Sequence, residues 1–360
     1  MTKTLLQSIH IMTARLAPGD AISNFVISSG RILRQWGHKV HLYADSISPQ
    51  YGAMARPSHY YPNSGQDILW FHYSIYADNV EIALSSNDYK VMDFHGICPP
   101  ELFAGQNNQL ARLCQSGYDL LPSLNDKFDS YIVHSEYSRH WLERLNFPSE
   151  LINKIFYCLD TSVFTGSDEE LMPLLARLDY FLMVGRIVPQ KDILALIEIF
   201  GHIQTQRPES ILILVGSREQ TNKYQHQIEK LIAKKGLQKH VLLTGQVSNP
   251  AILEALFRQA QLLFVTSEWE SFCVPIAESL HFGVPVVVHD LPPLPEIAGA
   301  GGLVVDKQQP KLAAAATLSL LDNQPRYEAL ARSGKQWAEQ YSDKSLAANI
   351  KQWWHHLAQR

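Results

Sequence analysis

The chain has 360 residues, a length that suggests two domains, and its 46% hydrophobic content can fill two cores. A formal net charge of −4 offers no broad basic surface, which argues against nucleic acid as a partner. The four cysteines, at 98, 114, 158 and 273, lie far apart with no paired spacing. That argues against a zinc site or a disulfide framework and suits a reducing cytosol, each thiol reading as a small buried hydrophobe.

In chain order, MTKTLLQSIHIM resembles a first strand more than a signal peptide. No stretch approaches the roughly 18 apolar residues of a membrane span, so a cytoplasmic protein is expected, with docking on a membrane surface left open. Apolar strand-like runs then alternate with helical patterns, the signature of α/β units with parallel sheets. First-half strands are expected at 5–11, 39–44, 68–73, 90–95 and 131–135, with a helix over 21–36 closed by Gly37. The polar, acidic and poorly periodic stretch 160–175 marks a domain boundary. Second-half strands are expected at 180–185, 211–216, 241–245, 262–266, 284–288 and 302–306. The last helix, SLAANIKQWWHHLAQR, carries a bulky aromatic face, and Trp353 and Trp354 could pack against the first half.

Several strand ends carry residues suited to binding. Gly19, in Pro18-Gly19-Asp20, lets a backbone approach a ligand closely, and Asp20 is a helix cap or an acceptor-binding residue. His72 and Tyr73 end the third strand, Asp93 and His95 the fourth, and these ends should face one crevice. Gly96 after His95 gives the chain freedom to turn. Ser135 is a helix cap or a further acceptor residue. In the second half, YFLMVG is followed by Arg186 and Lys191 just before a helix, where open α/β sheets bind ligands. Arg can grip two phosphate oxygens through its planar fork, and Lys contributes a compact charge.

The segment ESFCVPIAESLHFGVPV (270–286) is the most informative. Pro275 suits the first helical position, which puts Phe272, Cys273 and Val274 at a helix N-terminus. Free amides and the helix dipole there favour an anion such as a diphosphate. Glu270 precedes that end and Glu278 falls in the first turn. Carboxylates beside an anion site are better explained as acceptors for hydroxyl groups, so a nucleotide sugar, with phosphates between hydroxyl-bearing rings, fits. No dinucleotide fingerprint, phosphate-binding loop or Gly-x-Ser-x-Gly elbow is present, nor two aspartates flanking a single residue to clamp a divalent ion. Arg186, Lys191 and helix-end amides would do that metal's work.

Together these residues resemble the retaining glycosyltransferases of family 4. GRIVPQK (185–191) matches that family's Gly-Arg followed by Lys, and ESFCVPIAESLHFGVPVV its two-glutamate motif, with TGQVSN, Pro295-Glu296 and AGGLVVD in the expected order. The resemblance implies a GT-B fold, two Rossmann-like domains facing across a cleft. It places an acceptor domain at 1–165, a donor domain at 166–340 and a helix at 341–360 that packs back on the first domain. It further implies that Arg186 and Lys191 hold the donor diphosphate and that Glu270 accepts bonds from sugar hydroxyls. Amides near Phe272, Cys273 and Val274 reach sugar or phosphate, and Glu278 binds the ribose. Gly245 and Val247, in the segment 245–248, lie near the base, Gly19 closes over the diphosphate, and His95 contacts the donor sugar. Where the family commonly has Glu-Gly-Phe-Gly, this chain has Glu270-Ser271-Phe272-Cys273, which bears on backbone geometry and donor-sugar fit.

GDAISN (19–24) and HGICPPELF (95–103) look like a subgroup that builds bacterial surface polysaccharides, often from GDP-mannose, with UDP-glucose and UDP-N-acetylglucosamine open. The activity so implied is retaining transfer of a hexose to a hydroxyl acceptor, a glycan, lipid-linked sugar or small molecule, with no metal or other cofactor. A nucleotide-sugar epimerase or a non-catalytic nucleotide-sugar binder are the alternatives.

Overall fold

The computed structural model describes residues 8–358 apart from 160, 165 and 218–221. Residues 5–7 of the expected first strand, 160 and 165 of the boundary stretch, and the last two residues of the final helix lie outside the described residues.

Two compact units form, Met1–Asp160 with Tyr341–Arg360, and Thr161–Gln340. The first is built on the strands β1 (Ser8–Leu16), β2 (Lys39–Ile47), β3 (Ala55–Pro57), β4 (Ile68–Tyr73), β5 (Tyr89–Phe94), β6 (Ser130–Val133) and β7 (Ile152–Lys154). They make one sheet in the order β3-β2-β1-β4-β5-β6-β7, every neighbouring pair parallel. The second unit contains β8 (Tyr180–Val184), β9 (Ile211–Val215), β10 (Val241–Gly245), β11 (Leu262–Val265), β12 (Val286–His289) and β13 (Gly302–Val305), in the order β10-β9-β8-β11-β12-β13 and again all parallel. Both sheets share the Rossmann-like arrangement in which strand order reverses beside the first strand, at β1/β4 and at β8/β11. This is the two-unit GT-B fold class expected from the sequence.

The edge strands β3 and β7 have three residues each, too short for alternation to show in sequence. The helix Val274–His281 begins one residue earlier than expected, so Pro275 takes its second position and Glu278 its second turn rather than its first.

Period-two alternation sorts the first sheet into two unlike faces. Leu69, Phe71 and Tyr73 of β4, Met92 and Phe94 of β5, and Tyr131 and Val133 of β6 enter one apolar core. Trp70, His72 and Asp93 point the other way. The helix Asp343–Ala358 packs on that second face. Its Trp353 is 3% exposed, lies 5.2 Å from the ring of Trp70 and donates from Nε1 to Ser130 Oγ at 3.3 Å. Near its start, Asp343 pairs with Arg31 at 2.9 Å. Among the described residues no helix is long and apolar enough to cross a membrane.

Removing the indole should therefore leave a cavity against Trp70 and strand Ser130 Oγ. Trp353→Ala is expected to lower the stability of the first unit by about 3 kcal/mol, seen as an earlier transition on urea unfolding. An unchanged urea profile would show that this helix does not anchor the unit.

Candidate functional site

In the second unit, the loops that follow β8 and β11 carry the chemistry, and those strands are the neighbours at which the sheet order reverses. Chains leaving two such strands depart in opposite directions, which opens a crevice at their carboxyl ends.

The loop after β8 is shaped by two glycines. Gly185 sits at φ +152°, in backbone that a side chain rarely adopts, and a Cβ on Gly216 would come within 1.8 Å of Gly185 O. The short helical turn Pro189–Lys191 follows, and Asp192, left-handed at φ +42°, caps the helix Ile193–Gln206 by accepting from Ala195 N at 3.3 Å. The loop after β11 is sewn to it. Thr266 Oγ1 donates to the carbonyls of Lys191 and Asp192 at 3.2 and 3.0 Å, Glu268 N to Gln190 O at 2.8 Å, and Gln190 Nε2 to Trp269 O at 3.0 Å.

At the centre of this seam Lys191 Nζ meets Glu270 Oε1 at 2.5 Å, and Ser267 Oγ donates to the same oxygen at 2.8 Å. Burial works to lower the Lys191 pKa, but the Glu270 carboxylate outweighs it, with Cys273 adding to the pull, so the ammonium is held above its ordinary value. The pair is therefore ionic. Arg186, on the same loop, is exposed.

Phe272 and Cys273 are buried just before the helix Val274–His281, where Pro275 has no N–H and Ile276 N already donates to Cys273 O at 3.1 Å. Cys273 caps this helix at φ +79° with no side-chain capping bond. Left-handed backbone is where glycine is at ease, which gives a physical reason for the glycine that the resembling family carries there. Glu278 is half-buried, and burial pushes its carboxyl up to about 7. Gly245, at φ +75°, receives Gly216 N at its carbonyl at 3.0 Å, and Val247 is half-buried beyond β10.

Two contributors escaped the sequence reading. Lys307, 2% exposed just after β13, donates to Asp192 Oδ2 at 2.8 Å, Glu268 Oε1 at 2.7 Å and Thr266 O at 2.9 Å, tying both loops from below. Trp269 Nε1 is buried with no hydrogen-bond partner among the described residues, a donor beside Glu270. A lysine after a strand and a tryptophan in a loop carry no distinguishing pattern; only the fold assembles them.

In the first unit the structure places the expected residues as follows. Asp20 accepts from Ser23 N at 2.8 Å and Ser23 Oγ at 2.6 Å, capping the helix Ala21–Gln35. Ser135 likewise caps its helix, receiving Ser138 N at 3.1 Å. Tyr73, expected to meet an acceptor, lies in the apolar core and donates to Gly117 O at 2.8 Å, because alternation turns it away from His72. His72 and His95 are buried. His72 Nδ1 is 2.7 Å from His95 Nε2, and His95 Nδ1 bonds the hydroxyl of Tyr157, so both nitrogens of His95 are engaged. Burial, against the pull of Asp93, lowers His72 to about 4 and His95 well below its ordinary value, leaving both rings neutral at pH 7. Gly19 is exposed at φ +70° between β1 and the first helix.

Two predictions follow from this geometry. Cys273→Gly should stay within about 1 kcal/mol of the parent in a melt, while Cys273→Val, β-branched at a left-handed position, should lose about 2 kcal/mol. Glu278 ionises near 4.5 unfolded but near 7 folded, so the stability its neutral form contributes is full below 4.5 and lost as pH rises to about 7. Glu278→Gln should flatten that part of the stability profile, and an unaltered slope would contradict it.

The family model for glycosyl transferases group 1 matches residues 175–337. Over 230 residues the chain is 27% identical to the O-antigen chain mannosyltransferase B of Escherichia coli, covering 61% of this chain and 59% of that protein. It is 29% identical over 135 residues to the GDP-mannose:cellobiosyl-diphosphopolyprenol alpha-mannosyltransferase of Xanthomonas campestris, covering 38% and 35%. The matches thus span about three fifths and about a third of these two relatives. In fold, the chain superposes on HepE of Anabaena, solved in complex with UDP and glucose, with a TM-score of 0.78 at 16% identity over 97% of this chain and all of that one. Motif, model and fold converge: residues 175–337 match the glycosyl transferases group 1 family, within a chain of GT-B fold.

Proposed function

We propose that this protein is a retaining glycosyltransferase that moves a hexose from a nucleotide-diphosphate sugar to a hydroxyl acceptor. The observation that carries the reading is the buried Lys191–Glu270 pair, with Arg186 on the same loop, at the strand reversal of the family-matched unit. Arg186 and Lys191 supply the positive charge for the diphosphate and for the charge that grows on it as the glycosidic bond breaks. Glu270 takes the sugar hydroxyls, Glu278 the ribose, and Gly245 and Val247 flank the base.

The Lys191–Glu270 pair gives this assignment a mechanism of exchange. A diphosphate arriving at Lys191 takes over the ammonium, and Glu270, released from it, turns its oxygens to the sugar. One ion pair of the free enzyme becomes two ligand contacts, so neither charge is left buried alone. No divalent ion is assigned to the diphosphate, because the chain lacks two aspartates flanking a single residue and the cations beside the crevice belong to side chains. The leaving phosphate itself helps to deprotonate an acceptor attacking on the same face.

GDP-mannose is the favoured donor, since two of the relatives are named as mannosyltransferases and one of these names that donor. The UDP and glucose of the HepE structure keep UDP-glucose as the second candidate. The acceptor belongs to polysaccharide or glycoconjugate synthesis at the inner face of a membrane.

The decisive experiment measures release of free nucleoside diphosphate from GDP- and UDP-sugars, with and without acceptor and with and without magnesium. Acceptor-dependent release indifferent to magnesium is expected; acceptor-independent consumption of the donor would favour an epimerase instead. Arg186→Ala removes at least one charge-assisted contact of about 1.5–3 kcal/mol and should lower kcat/KM by at least about 10-fold. Undiminished turnover in that variant would refute the role given to Arg186.

A further inference from the structure

One cation in the seam of the second unit has no part in the transfer described above. Lys307 is the second residue after β13, and its backbone N–H approaches His289 Nδ1 at 3.4 Å. Its side chain has 0% exposure, with Nζ 2.8 Å from Asp192 Oδ2, 2.7 Å from Glu268 Oε1 and 2.9 Å from Thr266 O. A lysine ammonium has three hydrogens, and three acceptors surround it. The carboxylates are less buried than the cation, Asp192 being 19% exposed and Glu268 43%. One interior charge thus serves two carboxylates, one on each loop.

These carboxylates adjoin the residues assigned to the donor. Asp192 follows Lys191 directly, and Glu268, two residues before Glu270, donates its N–H to Gln190 O at 2.8 Å. Three carboxylates and two lysines therefore share one seam, and they sort in one way. Lys191 pairs with Glu270, while Lys307 takes Asp192 and Glu268. Because Asp192 and Glu268 both lie beside the Lys191 backbone, they compete for its charge unless another cation occupies them. The competition sharpens when an anion arrives. A diphosphate that draws Lys191 from Glu270 adds its own negative charge to the three carboxylates already there. At an effective dielectric constant of about 20, two like unit charges about 8 Å apart repel enough to weaken binding roughly 30-fold.

We propose that Lys307 is a positioning residue of the donor site: by occupying Asp192 and Glu268 it leaves the charge of Lys191 available to the diphosphate. This rests on the diphosphate reading above and gives Lys307 no contact with the donor. Two consequences separate the role from that of a structural tie. The effect of losing Lys307 grows with the charge of the ligand, because a nucleoside monophosphate brings less charge to the seam than a diphosphate. It is also relieved by removing a carboxylate, whereas a broken tie is not. Glu268→Gln is the discriminating change, since the amide oxygen still accepts from Lys307 Nζ while one competing charge is gone.

The test measures Kd for GMP, GDP, UMP and UDP by calorimetry on the full chain, in the wild type, Lys307→Met, Glu268→Gln and the double variant. Lys307→Met is expected to hold GDP or UDP, whichever the wild type prefers, on the order of 10-fold less tightly. The matching monophosphate should lose less, and adding Glu268→Gln should regain most of the loss. Glu268→Gln alone should bind the diphosphate about 3-fold more tightly. Equal losses for monophosphate and diphosphate, with no recovery in the double variant, would reduce Lys307 to a structural tie and overturn the proposal. Wild-type diphosphate affinity in Lys307→Met would overturn it too. Should Lys307→Met fail to fold, Glu268→Gln decides alone, and diphosphate binding no tighter than the wild type's counts against the proposal. A wild-type protein that binds neither GDP nor UDP refutes the donor reading itself and Lys307's role with it. A wild type that binds, with variants that show no charge-dependent loss, refutes only the role of Lys307.

Discussion

Two parallel strands, β8 and β11, lie side by side while their outgoing chains part, and the second unit's chemistry depends on what fills the gap between them. A lysine and a glutamate 79 residues apart in sequence fill it with one ion pair. Around that pair the hydrogen bonds of Thr266, Gln190, Glu268 and Lys307 hold the two loops to each other. A loop carrying a free buried cation would be expelled toward water; here each charge keeps the other in place until a ligand offers better partners. The site is thus assembled before binding, which reduces the ordering cost that a ligand must meet.

The same arrangement explains why backbone conformation matters as much as side-chain chemistry. Asp192 and Cys273 both sit in left-handed backbone, one on each loop, immediately before the helices that the loops introduce. Each redirects the chain within one residue from a sheet edge to a helix start. Asp192 manages this with a capping carboxylate that Lys307 steadies, whereas Cys273 manages it with no capping bond. The strain at Cys273 lies beside Lys191 and Glu270.

The first unit is organised by a different rule. Its sheet presents an apolar face and a face with buried polar groups, and one-residue alternation decides which residue belongs to which. His72 and Tyr73 are adjacent in sequence and on opposite sides of the sheet. The polar face is closed over by Phe25 and by the helix that carries Trp353, so its histidines meet one another instead of solvent.

Much was legible in the sequence because strands buried on both faces are continuous apolar runs. Eleven of the thirteen strands among the described residues stand out this way, and the GRIVPQK and ESFCVPIAESL segments follow strand ends. The chain alone determined the class of fold, the resemblance to the glycosyl transferases group 1 family over 175–337, and the residue types at the crevice beside β8 and β11. Tertiary structure decided the rest. It brought Lys191 against Glu270, recruited Lys307 from a third strand end, and gave Trp269 a buried and unpartnered indole. It withdrew Tyr73, His72 and His95 from the surface and set His134 against Asp93. The reason is range. Periodicity and capping are written in neighbours a few residues apart, whereas which charge meets which is set by strand order and register, and those are properties of the sheet as a whole.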